Sequence, residues 1–223
     1  MDQEVEYLFE IFGLGVTSRV TTMWGLIVVL GLISFIATRN LKRIPEGKRQ
    51  TIIEMVVDAL LNFFSGVLGF ERAHYFLPFL GTMFIFILAS NYVGFIPGAG
   101  SIPGIDTPTA NWSVTAGLAL TVFVATQFYG IKRRGPAYLK GFFQPVFFML
   151  PLNLVEQAVR PLSLSLRLFG NIYGGEMTAA ALLSLVPYLL PVPIMFLSIL
   201  FGFIQAVVFT LLSSVYFYEA THE

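Results

Sequence analysis

The fold class this sequence predicts is an all-α membrane protein with about five transmembrane helices and one amphipathic surface helix. Three observations carry that expectation. Of 223 residues, 56% are hydrophobic and 12% charged, about half the charged share of a soluble domain. Apolar runs of bilayer-spanning length recur along the chain. Gly/Pro-rich stretches and Lys/Arg clusters then alternate between those runs, as outside and inside connections do.

The same composition excludes other classes. The formal net charge is zero, which argues against a nucleic-acid partner. With no cysteine, neither a disulfide framework nor a thiolate metal site can form, and His74 and His222 are isolated, so no metal and no cofactor is expected. No nucleotide-binding loop and no internal repeat is present. The acidic start (Asp2, Glu4, Glu6, Glu10) is the opposite of a signal peptide's basic region, and no cleavage is expected. The chain reads as a single integral membrane domain over residues 1–223.

Residues 20–38 hold no charge and are long enough for a first span. Acidic residues precede the run, and Arg39, Lys42, Arg43, Lys48 and Arg49 follow it. The positive-inside rule therefore places the N-terminus outside. Residues 46–68 put Ile52, Val56, Leu60, Phe63, Phe64 and Val67 on one helical face, with Glu54, Asp58, Asn62 and Ser65 on another. That pattern predicts an amphipathic helix on the cytoplasmic membrane surface. A second span is expected over 76–96, followed by an outside loop over 97–108. Asn111 as helix cap and Trp112 at the interface open a third span, 112–131, which stops at Lys132-Arg133-Arg134. The segment 142–186 is apolar but would be about 65 Å long as one helix, twice the hydrocarbon core. It must break or tilt steeply. Pro187, Pro191 and Pro193 mark a turn, and 191–218 returns the C-terminus to the cytoplasm as the second arm of an antiparallel hairpin.

The chemistry lies in the long segment. On a regular helix Glu156, Arg160, Arg167 and Asn171 share one face, and Glu176 points to the opposite side. Along the axis, Glu156 lies about 16 Å to one side of Arg167 and Glu176 about 13 Å to the other. A carboxylate can take up and release a proton, whereas arginine keeps its charge and repels a passing cation. Two carboxylates flanking a permanent cation suit two half-channels separated by a gate. A buried structural ion pair is the alternative, but neither carboxylate is within helical side-chain reach of Arg167. Glu156 and Arg160 do have i,i+4 spacing, so for them the structural and functional readings both stand. Gln205 in the last span can come level with Arg167 and Glu176, to line a water path or to form an interhelical hydrogen bond. Gly170 to Gly174 forms a GxxxG pattern suited to close packing.

The run Arg167-Leu168-Phe169-Gly170-Asn171, with Tyr173, Gly175 and Glu176, resembles subunit a of the rotary F-type ATP synthase. Asn91 to Pro97, Pro108 to Asn111 and Gln205-Ala206 are similar too, and the resemblance covers nearly the whole chain. It implies a non-catalytic stator subunit in a bacterial plasma membrane. Its partners would be a ring of c subunits, b-type peripheral stalk subunits and the remainder of the ATP synthase. The carried ion would be a proton or sodium. Arg167 would be the gate facing the c ring. Glu176, Asn171, Gln205 and Ser198 would belong to the outer half-channel, and Glu156 with Arg160 to the inner one. The chain departs from the pattern at Ser198 and Gly94, where some relatives carry ionisable residues, so Glu176 and water must do more. Two rival classes fit less well. A secondary transporter normally needs more spans and repeats, and an inert scaffold needs no arginine flanked by carboxylates.

Overall fold

The computed structural model describes residues 7–11, 14–39, 47–95, 106–135, 138, 150–185 and 191–222. Among them are two short strands, β1 (Tyr7–Ile11) and β2 (Leu14–Thr17), and six long helices. The helices are α1 (Ser18–Thr38), α2 (Lys48–Leu68), α3 (Phe70–Val93), α4 (Trp112–Arg134), α5 (Leu150–Leu185) and α6 (Pro191–Thr221). The strands pair antiparallel, with Ile11 opposite Leu14 and Tyr7 opposite Thr17. This hairpin lies in the acidic N-terminal stretch, where the sequence predicts no element. It precedes the apolar helices and leaves the predicted all-α membrane architecture intact.

Five of the helices are long and apolar enough to cross a membrane: α1, α2, α3, α4 and α6. The number agrees with the expectation, but the set differs. α2, read from its sequence as a surface helix, qualifies, and α5 does not. Glu156, Arg160, Arg167, Asn171, Glu176 and several glycines lower the hydropathy of α5.

Each boundary has a local cause. Gly69 joins α2 to α3 at φ +76°, a conformation that costs glycine little, and its N–H donates to the Ser65 carbonyl at 3.0 Å. The chain folds back there, so that Leu60 comes against Gly81, and Phe64 and Leu68 pack with Phe76, Leu80 and Phe217. Asn111 caps α4 as its sequence predicts, accepting a hydrogen bond from the Ser113 N–H at 2.9 Å. Lys132, Arg133 and Arg134 close α4, where cations suit a helix C-terminus.

α5 is continuous for 36 residues, through Pro161, about 54 Å at 1.5 Å per residue. A break within 150–185 is therefore excluded. Residues 142–149, Lys42, Arg43, Pro187 and most of the expected outside loop lie outside the described residues. α5 and α6 pack antiparallel, and a core of Ile87, Val122, Leu164, Leu168, Ala206 and Phe209 binds them to α3 and α4. α1 stands apart: the span Val20–Thr38 buries none of its residues in the chain, and its large side chains face outward.

Candidate functional site

The α5–α6 pair sets the register of every polar side chain that matters. Arg160 sits between two carboxylates: it donates to Glu156, one turn earlier on α5, at 2.7 Å, and to Glu219 on α6. Its guanidinium also lies over the Tyr216 ring, 5.2 Å from the centroid. About three turns further along, the Asn171 amide donates to the Gln205 side-chain oxygen at 3.4 Å. One turn beyond, Ser198 lies so near Gly175 that a Cβ there would stand 3.1 Å from its hydroxyl. The Arg160–Tyr216 and Asn171–Gln205 contacts share one antiparallel register, and Glu219 and Ser198 each lie about one turn away from it.

Arg167 lies between these contacts and differs from both. It is exposed, among the exposed Leu162, Leu166 and Tyr173 on the outer face of α5. Among the described residues, no carboxylate forms an ion pair with it.

Glu176 turns elsewhere, as its offset from Arg167 predicts. It faces the end of α3: a Cβ on Gly94 would collide with the Thr107 hydroxyl and stand 3.3 Å from a Glu176 carboxylate oxygen. Neutral polar groups lie towards the same end of α3. Asn91 donates to the Gly202 carbonyl at 2.8 Å, tying α3 to α6. Ser90, Thr109, the Asn91 side-chain oxygen and the Gln205 side-chain nitrogen are buried with no hydrogen-bond partner among the described residues. Burying such a group unpaired costs about 1–3 kcal/mol, so a water placed at any of these four atoms would be stabilised.

At the Arg160 end a cavity of about 310 Å³ opens between α4, α5 and α6. It runs from Arg134, Tyr138 and Glu219 down to Ala119 and Leu164, within one turn of Arg167. Its other wall is uncharged: the Tyr138 hydroxyl donates to Gln127 at 2.9 Å, and the Gln127 amide donates to Gln157 at 3.2 Å. Burial pushes the Tyr138 phenol above its ordinary range, against the Arg160 and Arg134 charges and the Gln127 bond, so it stays a proton donor. No group of three or more His, Asp or Glu side chains that could hold a metal is found among the described residues.

Residues 20–218 match the ATP synthase A chain family. The ATP synthase subunit a of Moorella thermoacetica is 42% identical over 217 residues, covering 96% of each chain. The subunit a of Trichlorobacter lovleyi is 40% identical over 227 residues, covering all of this chain and 95% of its own. That of Geobacter sulfurreducens is 39% identical over 204 residues, 90% of this chain and 86% of its own. The chain belongs to the ATP synthase subunit a family.

The resemblance read from Arg167 to Glu176 is thus borne out over nearly the full length. As an ATP synthase subunit a, the chain is an integral membrane part of an ATP synthase, concerned with ATP synthesis and ion transport.

Within that family frame, the predicted residues divide into groups. Glu156 and Arg160 meet directly. Asn171 and Gln205 meet directly. Ser198 and Glu176 belong to the same short stretch of the hairpin, and Arg167 makes no ion pair among the described residues. Sequence reasoning missed Glu219, Gln127, Gln157 and Tyr138. Glu219 had only a partial signal: an antiparallel register that pairs 205 with 171 brings Tyr216 level with Arg160 and Glu219 within one turn of it, but that register is fixed by packing. It lies just past the residues that match the family. Tyr138 had none, because nothing in the spacing shows that its ring docks on α4.

Proposed function

We propose that this chain is the stator of a rotary ion channel, with two offset half-channels separated by Arg167. The observation that carries the reading is Arg167 itself: a permanent cation, exposed on an apolar helix face, with no carboxylate partner among the described residues of its own chain. Such a charge at membrane depth calls for a counter-charge from outside the chain. A ring of c subunits, each with one ion-binding carboxylate, supplies it transiently. Leu162, Leu166, Phe196 and Phe203, all exposed, give the ring an apolar surface to roll against.

The outer half-channel takes Glu176, Asn171, Gln205 and Ser198, together with the buried unpaired groups Ser90, Asn91 and Thr109. The inner half-channel takes Glu156 and Arg160, with Glu219 and the cavity that reaches Leu164. An ion enters by one path and neutralises a c-subunit carboxylate. The neutral site then turns into the lipid, which a charged site would resist. On return, Arg167 favours the ionised carboxylate and so drives release into the other path. The chain performs no bond-making chemistry; it carries a proton or sodium ion between the two sides, and b-type stalk subunits hold it still against the ring. In this orientation the N-terminus is outside and the C-terminus cytoplasmic. α2 lies along the cytoplasmic surface, and α5, longer than the hydrocarbon core, tilts across it.

The test is ion-gradient-driven ATP synthesis in vesicles holding the whole complex, wild type against Arg167→Ala. Synthesis is expected to vanish while the complex still assembles. Near-normal synthesis would reduce Arg167 to a structural charge and end this reading.

A further inference from the structure

The inner cavity has a charged wall, already assigned, and an uncharged wall that no part of the mechanism uses. Tyr138 belongs to the connection between α4 and α5. Its ring lies on Gly130 of α4, where a Cβ would stand 2.8 Å from the ring carbons. Any side chain at 130 would therefore lift the ring. Seated there, the phenol donates to Gln127 on α4, and Gln127 donates to Gln157 on α5. Gln157 directly follows Glu156. Two hydrogen bonds thus join the connection, α4 and α5 across the cavity beside the Glu156–Arg160–Glu219 group.

We propose that Tyr138 is a positioning residue for the inner ion path: it pins α5 to α4 through Gln127 and Gln157 and so fixes where Glu156 stands in the cavity. The proposal rests on reading that cavity as the inner half-channel. Among the described residues the phenol is the hydrogen-bond donor to the Gln127 oxygen. Without it that amide turns to another partner and releases Gln157. The charged and titratable groups facing this wall are Arg134 from α4, Glu156 and Arg160 from α5, and Tyr216 and Glu219 from α6. Tyr138 stays protonated, so its loss removes a tether and no charge. Any change in pH response then comes from the displaced Glu156.

The experiment uses the whole complex in vesicles and measures ATP synthesis per assembled complex while inner and outer pH are varied separately. Tyr138→Phe removes the hydroxyl and keeps the ring. Gly130→Ala keeps the hydroxyl and unseats the ring. Both are expected to lower synthesis about three- to tenfold, the effect of one buried hydrogen bond. Both should displace the inner-pH dependence and leave the outer one in place. Tyr138→Phe combined with Gln127→Leu should be no worse than either alone. Unchanged synthesis and inner-pH dependence in both variants would overturn the proposal, as would a loss that moves both pH dependences alike. Arg167→Ala is run in parallel. If it still synthesises ATP, the half-channel reading has failed and this proposal falls with it. If it does not, normal Tyr138 and Gly130 variants count against Tyr138 alone.

Discussion

The two ends of the α5–α6 hairpin solve the problem of polarity inside an apolar bundle in opposite ways. At the Arg160 end the charges satisfy one another: one guanidinium serves two carboxylates beside an open cavity. At the Glu176 end there is one exposed carboxylate with an oxygen near Gly94, and towards the same end of α3 and α6 four polar atoms are buried without hydrogen-bond partners among the described residues. The first end can stand with few waters, and the second needs them. One helix therefore carries a site whose charge is held in place by protein and a site whose hydration is built in. Arg167, between them, has neither arrangement.

The largest effect that would sharpen this contrast is expected from Glu176→Gln, which removes the carboxylate at its end. Gradient-driven synthesis should fall about a hundredfold or more, the scale of losing a proton-transfer group. A twofold loss would make Glu176 dispensable to the hydrated end. Gly94→Val comes next. Its side chain would strike Thr107 and crowd Glu176, and one overpacked contact at about 1–3 kcal/mol corresponds to a loss of roughly tenfold or more. Thermal unfolding of the purified complex would separate damage to the path from damage to the fold.

Arg160→Gln tests the other end. It leaves Glu156 and Glu219 facing each other without a counter-charge, and synthesis should fall about three- to tenfold. Adding Glu219→Gln should restore part of the loss, and no recovery would mean that Arg160 acts through something other than that pair. The smallest effect belongs to Ser90→Ala with Thr109→Val. Removing unpaired buried hydroxyls should leave thermal stability unchanged or raised by about 1 kcal/mol. If water joins them to the ion path, synthesis still drops about twofold, an effect of some 0.4 kcal/mol on the barrier. Unchanged synthesis would show that these groups are dry.

The sequence reached far into this arrangement because helices translate spacing into direction. Glu156 and Arg160 were readable as a pair from their i,i+4 spacing, and Glu176 as facing away from Arg167 from its nine-residue offset. The helices, the Asn111 cap and the closing hairpin followed from apolar length, turn residues and charge clusters. What stayed hidden was contact between elements. Tyr138 on Gly130 depends on how a connection folds over α4, and Glu219 on a register that only packing fixes. The exchange of α2 and α5 among the apolar helices has a different origin. Hydropathy averages a window, and the groups that lower it in α5 include those on which the proposed function depends.

The isolation of α1 has a consequence in time rather than in space. Its span buries no residue in the chain, and the hydrogen bond from the Asp106 N–H to Thr22 is one of its few ties to the rest. Helices α2 to α6 share the two cores and form them without it. Yet α1 precedes those helices in the chain, so the ribosome delivers it to the bilayer before any helix it will touch exists. A segment that is finished first and packs least can wait in lipid as a solitary helix, with no exposed partner face to protect, until the bundle assembles beside it.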